Sequence, residues 1–191
     1  WHHMPGLAFG VLTLTWVFSG LLTMSPWGWL EGGDTAGRVR AHLTGSATVA
    51  AQRQFIGRMP QQLRAGEFVQ LEGRVFDDEL QVIATRADGS TVRLDAAARP
   101  APLDPARLRT RLASFGSGIA GFDTLTDEDA YYYGHKRPVE LPVYRAILND
   151  AERTRVYISP TTAALRVVDA DGRWSRWTRQ GLHGLDFAGL R

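Results

Sequence analysis

The sequence predicts an α+β protein carried on one membrane-spanning helix. Three observations lead there: an opening stretch without charge, a recurring helix and three-strand pattern after it, and turn signals short enough to demand antiparallel neighbours. The 22 Lys or Arg and the 20 Asp or Glu of this 191-residue chain all lie at or beyond Glu31. Side chains partitioned so sharply belong to two different solvents.

The opening element is predicted over residues 1–30. Met4 to Leu30 contains no ionisable group, and about twenty such residues, rising 1.5 Å each, cross a hydrocarbon layer of roughly 30 Å. Pro5 suits a first helical turn and Pro26 suits an end. Trp27 and Trp29 suit the headgroup layer. A secretory signal peptide is the competing reading, but its apolar region runs about 7 to 15 residues before a small-residue cleavage site, and this run is longer. Gly6 and Gly10 stand four apart, with Thr13, Ser19 and Gly20 further on, so another membrane helix could approach closely. Because the sequence starts at Trp1, the chain is expected to be part of a longer protein. No basic flank is present from which to read its orientation.

From Glu31 the pattern changes. A Gly-rich turn precedes Arg38 to Gln62, whose centre reads as helix. Strand signals follow at Phe68–Phe76, Leu80–Arg86 and Thr91–Asp95, separated by Asp77-Asp78 and Asp88-Gly89 turns. A Pro/Ala linker at 100–105 ends in Asp104-Pro105, a helix start that couples a capping carboxylate to a residue with no N–H to leave unsatisfied. Leu108, Leu112 and Phe115 share a face of that helix. A loop with Gly116, Gly118, Gly121 and the acids from Asp123 to Asp129 comes next. Strands are then expected at Pro142–Leu148, Arg153–Ile158 and Ala164–Asp169.

The order helix, strand, strand, strand thus occurs twice, which predicts two similar modules over 31–99 and 100–175, each a helix packed on a three-stranded antiparallel sheet. The period of two turns Thr154, Val156 and Ile158 toward the helix, and Arg155 and Tyr157 toward solvent. Composition narrows function mainly by exclusion. The net charge is only +2 and basic residues alternate with acids, so nucleic acid is not an expected partner. The chain has no cysteine, which excludes disulfides and thiolate chemistry within it and suits an extracytoplasmic setting. There is no nucleophile elbow at Gly116-Ser117-Gly118, no phosphate-binding glycine loop, and no calcium-loop spacing among Asp123, Asp127, Glu128 and Asp129.

Several segments resemble PepSY-domain transmembrane proteins: Trp1-His2-His3, Gly6, Phe9-Gly10, Thr13 to Leu22, and at the other end Arg176-Trp177, Gly181-Leu182-His183 and Leu185-Asp186-Phe187. Tyr131 to Tyr133, Leu141 to Arg145 and Thr154 to Pro160 are similar to the PepSY module that precedes the family's next membrane helix. The first module carries less of the likeness. The resemblance implies two PepSY-like modules in the periplasm and a location in a bacterial inner membrane. It makes residues 176–191 the interfacial lead-in to a further membrane helix, and membrane lipid and other transmembrane helices the partners.

The resemblance further implies a role in iron uptake, with haem b as suspected cofactor and a ferric siderophore as the species reduced. His2, His3 and His183 are the candidate haem ligands, since haem iron in membrane bundles takes histidine nitrogens from facing helices. His2 and His3 are expected at the opposite side of the bilayer from His183, so the two sets cannot share one haem. Where the family has a first histidine three residues earlier, this chain has Gln180. His42 and His135 read as surface residues. The alternative is a non-enzymatic module that binds peptides or a partner protein, restraining a protease or regulating it, with the outward strands carrying the contact.

Overall fold

A computed structural model describes residues 2–24, 33–46, 53, 57, 66–95, 99–134, 138–184 and 186. The elements are α1 (His3–Thr23), α2 (Thr35–Thr44), β1 (Gln70–Phe76), β2 (Glu79–Thr85), β3 (Thr91–Leu94), α3 (Pro105–Ala113), β4 (Ile119–Leu125), β5 (Val143–Leu148), β6 (Arg155–Ile158), β7 (Leu165–Val168) and α4 (Ala170–Ser175). A π-helical segment, Arg176–His183, follows α4 directly. The class is α+β, with an N-terminal apolar helix and two small antiparallel sheets, one ordered β1-β2-β3 and the other β4-β5-β6-β7.

The chain forms two compact units. One gathers residues 1–35, 128–139 and 168–191, and the other comprises 36–127 and 140–167. Most of both halves of the sequence repeat falls within the second unit, while residues 31–35, 128–139 and 168–175 belong to the first.

In the first unit, α1 is 21 residues long. Its stretch His3–Leu22 is long and apolar enough to cross a membrane. Most of its large side chains are exposed, Leu7, Phe9 and Leu14 among them. A soluble protein would have to leave that surface in water, at roughly 25 cal/mol for each Å². The helix closes at Met24, whose N–H donates to Leu21 O at 3.1 Å. Trp27 and Trp29 lie outside the described residues.

The second unit is built around one core. Val39 and Leu43 of α2, Phe76 of β1, Leu108 and Leu112 of α3, and Ala146, Leu148, Val156 and Ile158 of the four-stranded sheet are all buried together. Among the described residues, the apolar face of α2 thus joins α3 over the second sheet. The expectation of one helix serving one sheet in each half does not describe it. The three-stranded sheet keeps a small cluster of its own, Val82, Ala84 and Leu94 with Phe68 and Val92 beside it.

The Asp77-Asp78 turn brings the helices and the first sheet into register. Both residues take positive φ, 53° and 61°, the form a two-residue hairpin loop requires. Their N–H groups donate to Leu43 O and Thr44 O at 2.7 and 3.2 Å, so the turn closes the open carbonyls at the end of α2. Their carboxylates meet α3. Arg107 Nε lies 2.7 Å from Asp77 Oδ2, and Arg111 lies 3.2 Å from Asp77 Oδ1 and 3.0 Å from Asp78 Oδ2. Asp104 caps α3 as its position predicts, accepting from Ala106 N at 2.9 Å.

Two further expectations give way. The segment Ile119–Leu125, read as loop, is strand β4, paired antiparallel with β5, and the second sheet has four strands. Its glycine argues against a strand, yet Gly121 sits beside an irregularity in the pairing where a missing side chain is tolerated. Asp123 lies opposite Arg145 and pairs with it. Tyr157, expected to face solvent, is 0% exposed, so the second sheet is covered on both faces at β6.

Candidate functional site

The site is in the first unit, where the π-helical segment packs on α1. Burial along α1 is confined to its C-terminal half: Ser19 is fully buried, and Thr15, Gly20 and Leu22 are partly covered. His183, the last residue of the π-helical segment, lies beside this stretch. Residues 3–14 are exposed, so the earlier residues of that segment do not cover the N-terminal half of α1.

A methyl group added at Gly20 would meet His183 Cε1 at 3.9 Å, an ordinary van der Waals distance, so Gly20 lies beside the ring and alanine would also fit there. The His183 ring stacks on Trp16, with centroids 5.1 Å apart and planes 18° from parallel. Its Nδ1 lies 3.2 Å from Ser19 Oγ, which is itself 2.9 Å from the carbonyl oxygen of Trp16.

These contacts assign the tautomer. A carbonyl can only accept, so the serine hydroxyl proton goes to Trp16 O, and Ser19 Oγ must accept from His183. Nδ1 then carries the hydrogen and Nε2 keeps its lone pair. Anchoring one ring nitrogen to leave the other bare is how histidine is readied as a metal ligand. Phe9, Leu12, Thr13, Thr15, Trp16, Leu182 and His183 line an open, mainly apolar cleft of about 450 Å³, within the size range of cofactor sites.

A buried polar group lies further along the same segment. Arg176 is 6% exposed, and its guanidinium stands 4.4 Å from the Tyr133 ring centre. It donates to Asp186 O at 2.9 Å and to Ala130 O at 3.3 Å, with Asp186 Oδ2 3.8 Å away. Tyr133 OH donates to Gln180 Oε1. Gln180 is thereby engaged as an acceptor.

His2 and His3 are exposed at the start of α1, and His2 makes no side-chain cap. Sixteen residues separate His3 from Ser19, about 24 Å along a helix axis, so the structure brings neither near His183. His42 is not a plain surface residue. Its Nε2 reaches Arg111 O at 2.9 Å and Ser114 Oγ at 3.0 Å, while Arg111 Nε donates to His42 O at 2.9 Å, a reciprocal clasp between α2 and α3. His135 lies outside the described residues.

The acidic run forms turns. Asp129 Oδ1 accepts from Tyr131 N and Tyr132 N at 2.8 and 2.6 Å, and Glu128 accepts from Gly134 N at 3.0 Å. Among the described residues there is no group of three or more His, Cys, Asp or Glu able to hold a metal ion. His183 could supply one nitrogen to a metal that brings its other ligands with it, as haem does. Sequence reasoning marked His183 but missed the two residues that orient it, Trp16 and Ser19. Ser19 was noticed only for its small size, although a hydroxyl in an otherwise apolar helix is itself a signal that a polar partner is near. No protein-family model, curated protein or solved structure matches this chain.

Proposed function

We propose that this chain is a part of a bacterial inner-membrane protein of the PepSY type that binds haem b and takes part in ferric or ferrisiderophore reduction during iron uptake. In this reading α1 crosses the bilayer, the α+β region is periplasmic, and the π-helical segment is the start of a second crossing. The observation that carries the proposal is His183, held by Ser19 and Trp16 at the edge of an apolar cleft, with no partner for Nε2 among the described residues.

His183 would supply one axial nitrogen, and bound haem supplies one-electron transfer. The chain's own residues orient the ligand: Ser19 fixes the tautomer, Trp16 fixes the ring plane, and the apolar lining keeps water away from the bare nitrogen. His2 and His3 would serve at the other face of the membrane, with ligands from other helices. The peptide-binding alternative has less support, because the strand face meant to carry it is covered at Tyr157.

The test is a reduced-minus-oxidised absorbance spectrum of the full-length protein purified in detergent. Sharp bis-histidine bands are expected, weakened or shifted in His183→Ala. A flat difference spectrum for the unmutated protein would remove the reductase reading.

A further inference from the structure

Trp174 and Trp177 are large, exposed apolar residues in the first unit, at 45% and 44% exposure. Their level along α1 follows from its burial pattern: residues 3–14 are exposed, so the segment lies against residues 15–22 and beyond. His183 stands beside Ser19, and Trp177 precedes it by six residues, which is at most about 9 Å at 1.5 Å per residue. A wide-turned helix advances less. Trp177 therefore falls within a turn of Met24, where α1 ends, and Trp174 lies beyond it.

The neighbours have the chemistry of a membrane boundary. Trp177 Nε1 points to Tyr131 OH at 3.5 Å. Arg179 is exposed half a turn further in, positioned to bring its charge out to phosphates along its own aliphatic stem. Between the tryptophans, Arg176 is turned inward and tied to the carbonyl oxygens of Ala130 and Asp186. That tie joins the tyrosine loop to the helix, so Tyr131 and Trp177 are held together as one surface.

We infer that Trp174, Trp177, Arg179 and Tyr131 form a collar that sits in the phospholipid headgroup layer where α1 leaves the bilayer. Indole and phenol rings with one apolar body and one polar edge partition to that depth. The collar sets how far the helix pair is immersed, and with it the depth of His183. This inference rests on the reading that α1 crosses a bilayer, but not on haem.

These 191 residues have no cysteine, so once any cysteines elsewhere in the full-length protein are replaced by serine, single spin labels report depth in phosphatidylcholine nanodiscs. Labels at Trp177→Cys and Arg179→Cys are compared with Leu12→Cys inside α1 and Asp127→Cys in the other unit. Arg179 packs against little, so its variant is expected to fold even if the tryptophan variant does not. Both collar labels should collide with a water-soluble nickel chelate several-fold less than the label at 127, and with oxygen several-fold less than the label at 12. Collar labels as wet as position 127, or as deep as position 12, would overturn the collar while leaving α1 in the membrane. A label at 12 that is itself fully wet would overturn the membrane reading and the collar with it.

Discussion

The imidazole of His183 lies nearly parallel to the indole of Trp16, 167 positions earlier in the chain, with the two ring centres 5.1 Å apart. One ring comes from the apolar helix and the other from the segment that returns to it, so the stacking pair records where the chain comes back to its own beginning. Ser19, one helical turn along from Trp16, completes the arrangement by accepting from Nδ1.

Ser19→Ala removes that acceptor and leaves the Nδ1 hydrogen without its partner. The cost to the helix pair should be about 1 kcal/mol, within the range of interhelical hydrogen bonds in membranes. Thermal unfolding of the full-length protein in detergent measures it. An unchanged midpoint, with Trp16 fluorescence also unchanged, would show that the serine does not hold the ring.

Arg176→Met should be far more damaging than a surface arginine change. It strips donors from Ala130 O and Asp186 O and removes the positive partner of a buried carboxylate; breaking buried pairs of this kind costs roughly 3–5 kcal/mol. Limited proteolysis between residues 128 and 139 is the readout. Cleavage there should accelerate sharply in Arg176→Met and not in Arg99→Met, whose own side chain is largely exposed in its pair with Asp95.

Leu112→Ala opens the core that α2, α3 and the second sheet share. Leu112 is fully buried, and such truncations cost roughly 2–5 kcal/mol. Chemical unfolding followed by far-ultraviolet circular dichroism should show the loss, whereas Leu71→Ala, at an exposed strand position, should change stability little.

Acid sensitivity is expected at the hairpin turn. The Ser46 N–H, followed by the Arg111 guanidinium, holds the Asp78 carboxyl below its ordinary value of 3.8. The unfolded chain therefore takes up this proton at a higher pH than the folded one, and stability rises with pH through that interval. The contribution is present above about pH 4 and is lost as pH falls through the lowered folded value. Asp78→Asn should flatten that part of the stability curve; a curve of unchanged shape would remove Asp78 from the clamp.

Gly45 faces the same carboxylate. It has φ of +65°, and a Cβ there would stand 2.2 Å from Asp78 Oδ1. Gly45→Ala should lower the unfolding midpoint through both backbone strain and that collision. Pairing it with Asp78→Gly should recover the part due to the collision, measured as a double-mutant cycle.

What the sequence by itself determined was local. The apolar stretch, the Asp104-Pro105 helix start, the Asp77-Asp78 turn and six of the seven strands among the described residues are legible because each depends on neighbours a few residues away: hydropathy, capping, turn chemistry and the period of two. β4 was not, because its pairing with β5 comes from residues about twenty positions later and overrides the glycine within it. The tertiary structure decided that Val39 and Leu43 share a core with Leu112, that Tyr157 is covered, and that His42 clasps Arg111. It also decided which residues orient His183. A hydrogen bond between Ser19 and His183 spans 164 positions, and no periodicity reaches that far; only the return of the chain against α1 places a hydroxyl beside an imidazole in surroundings where each must find a partner.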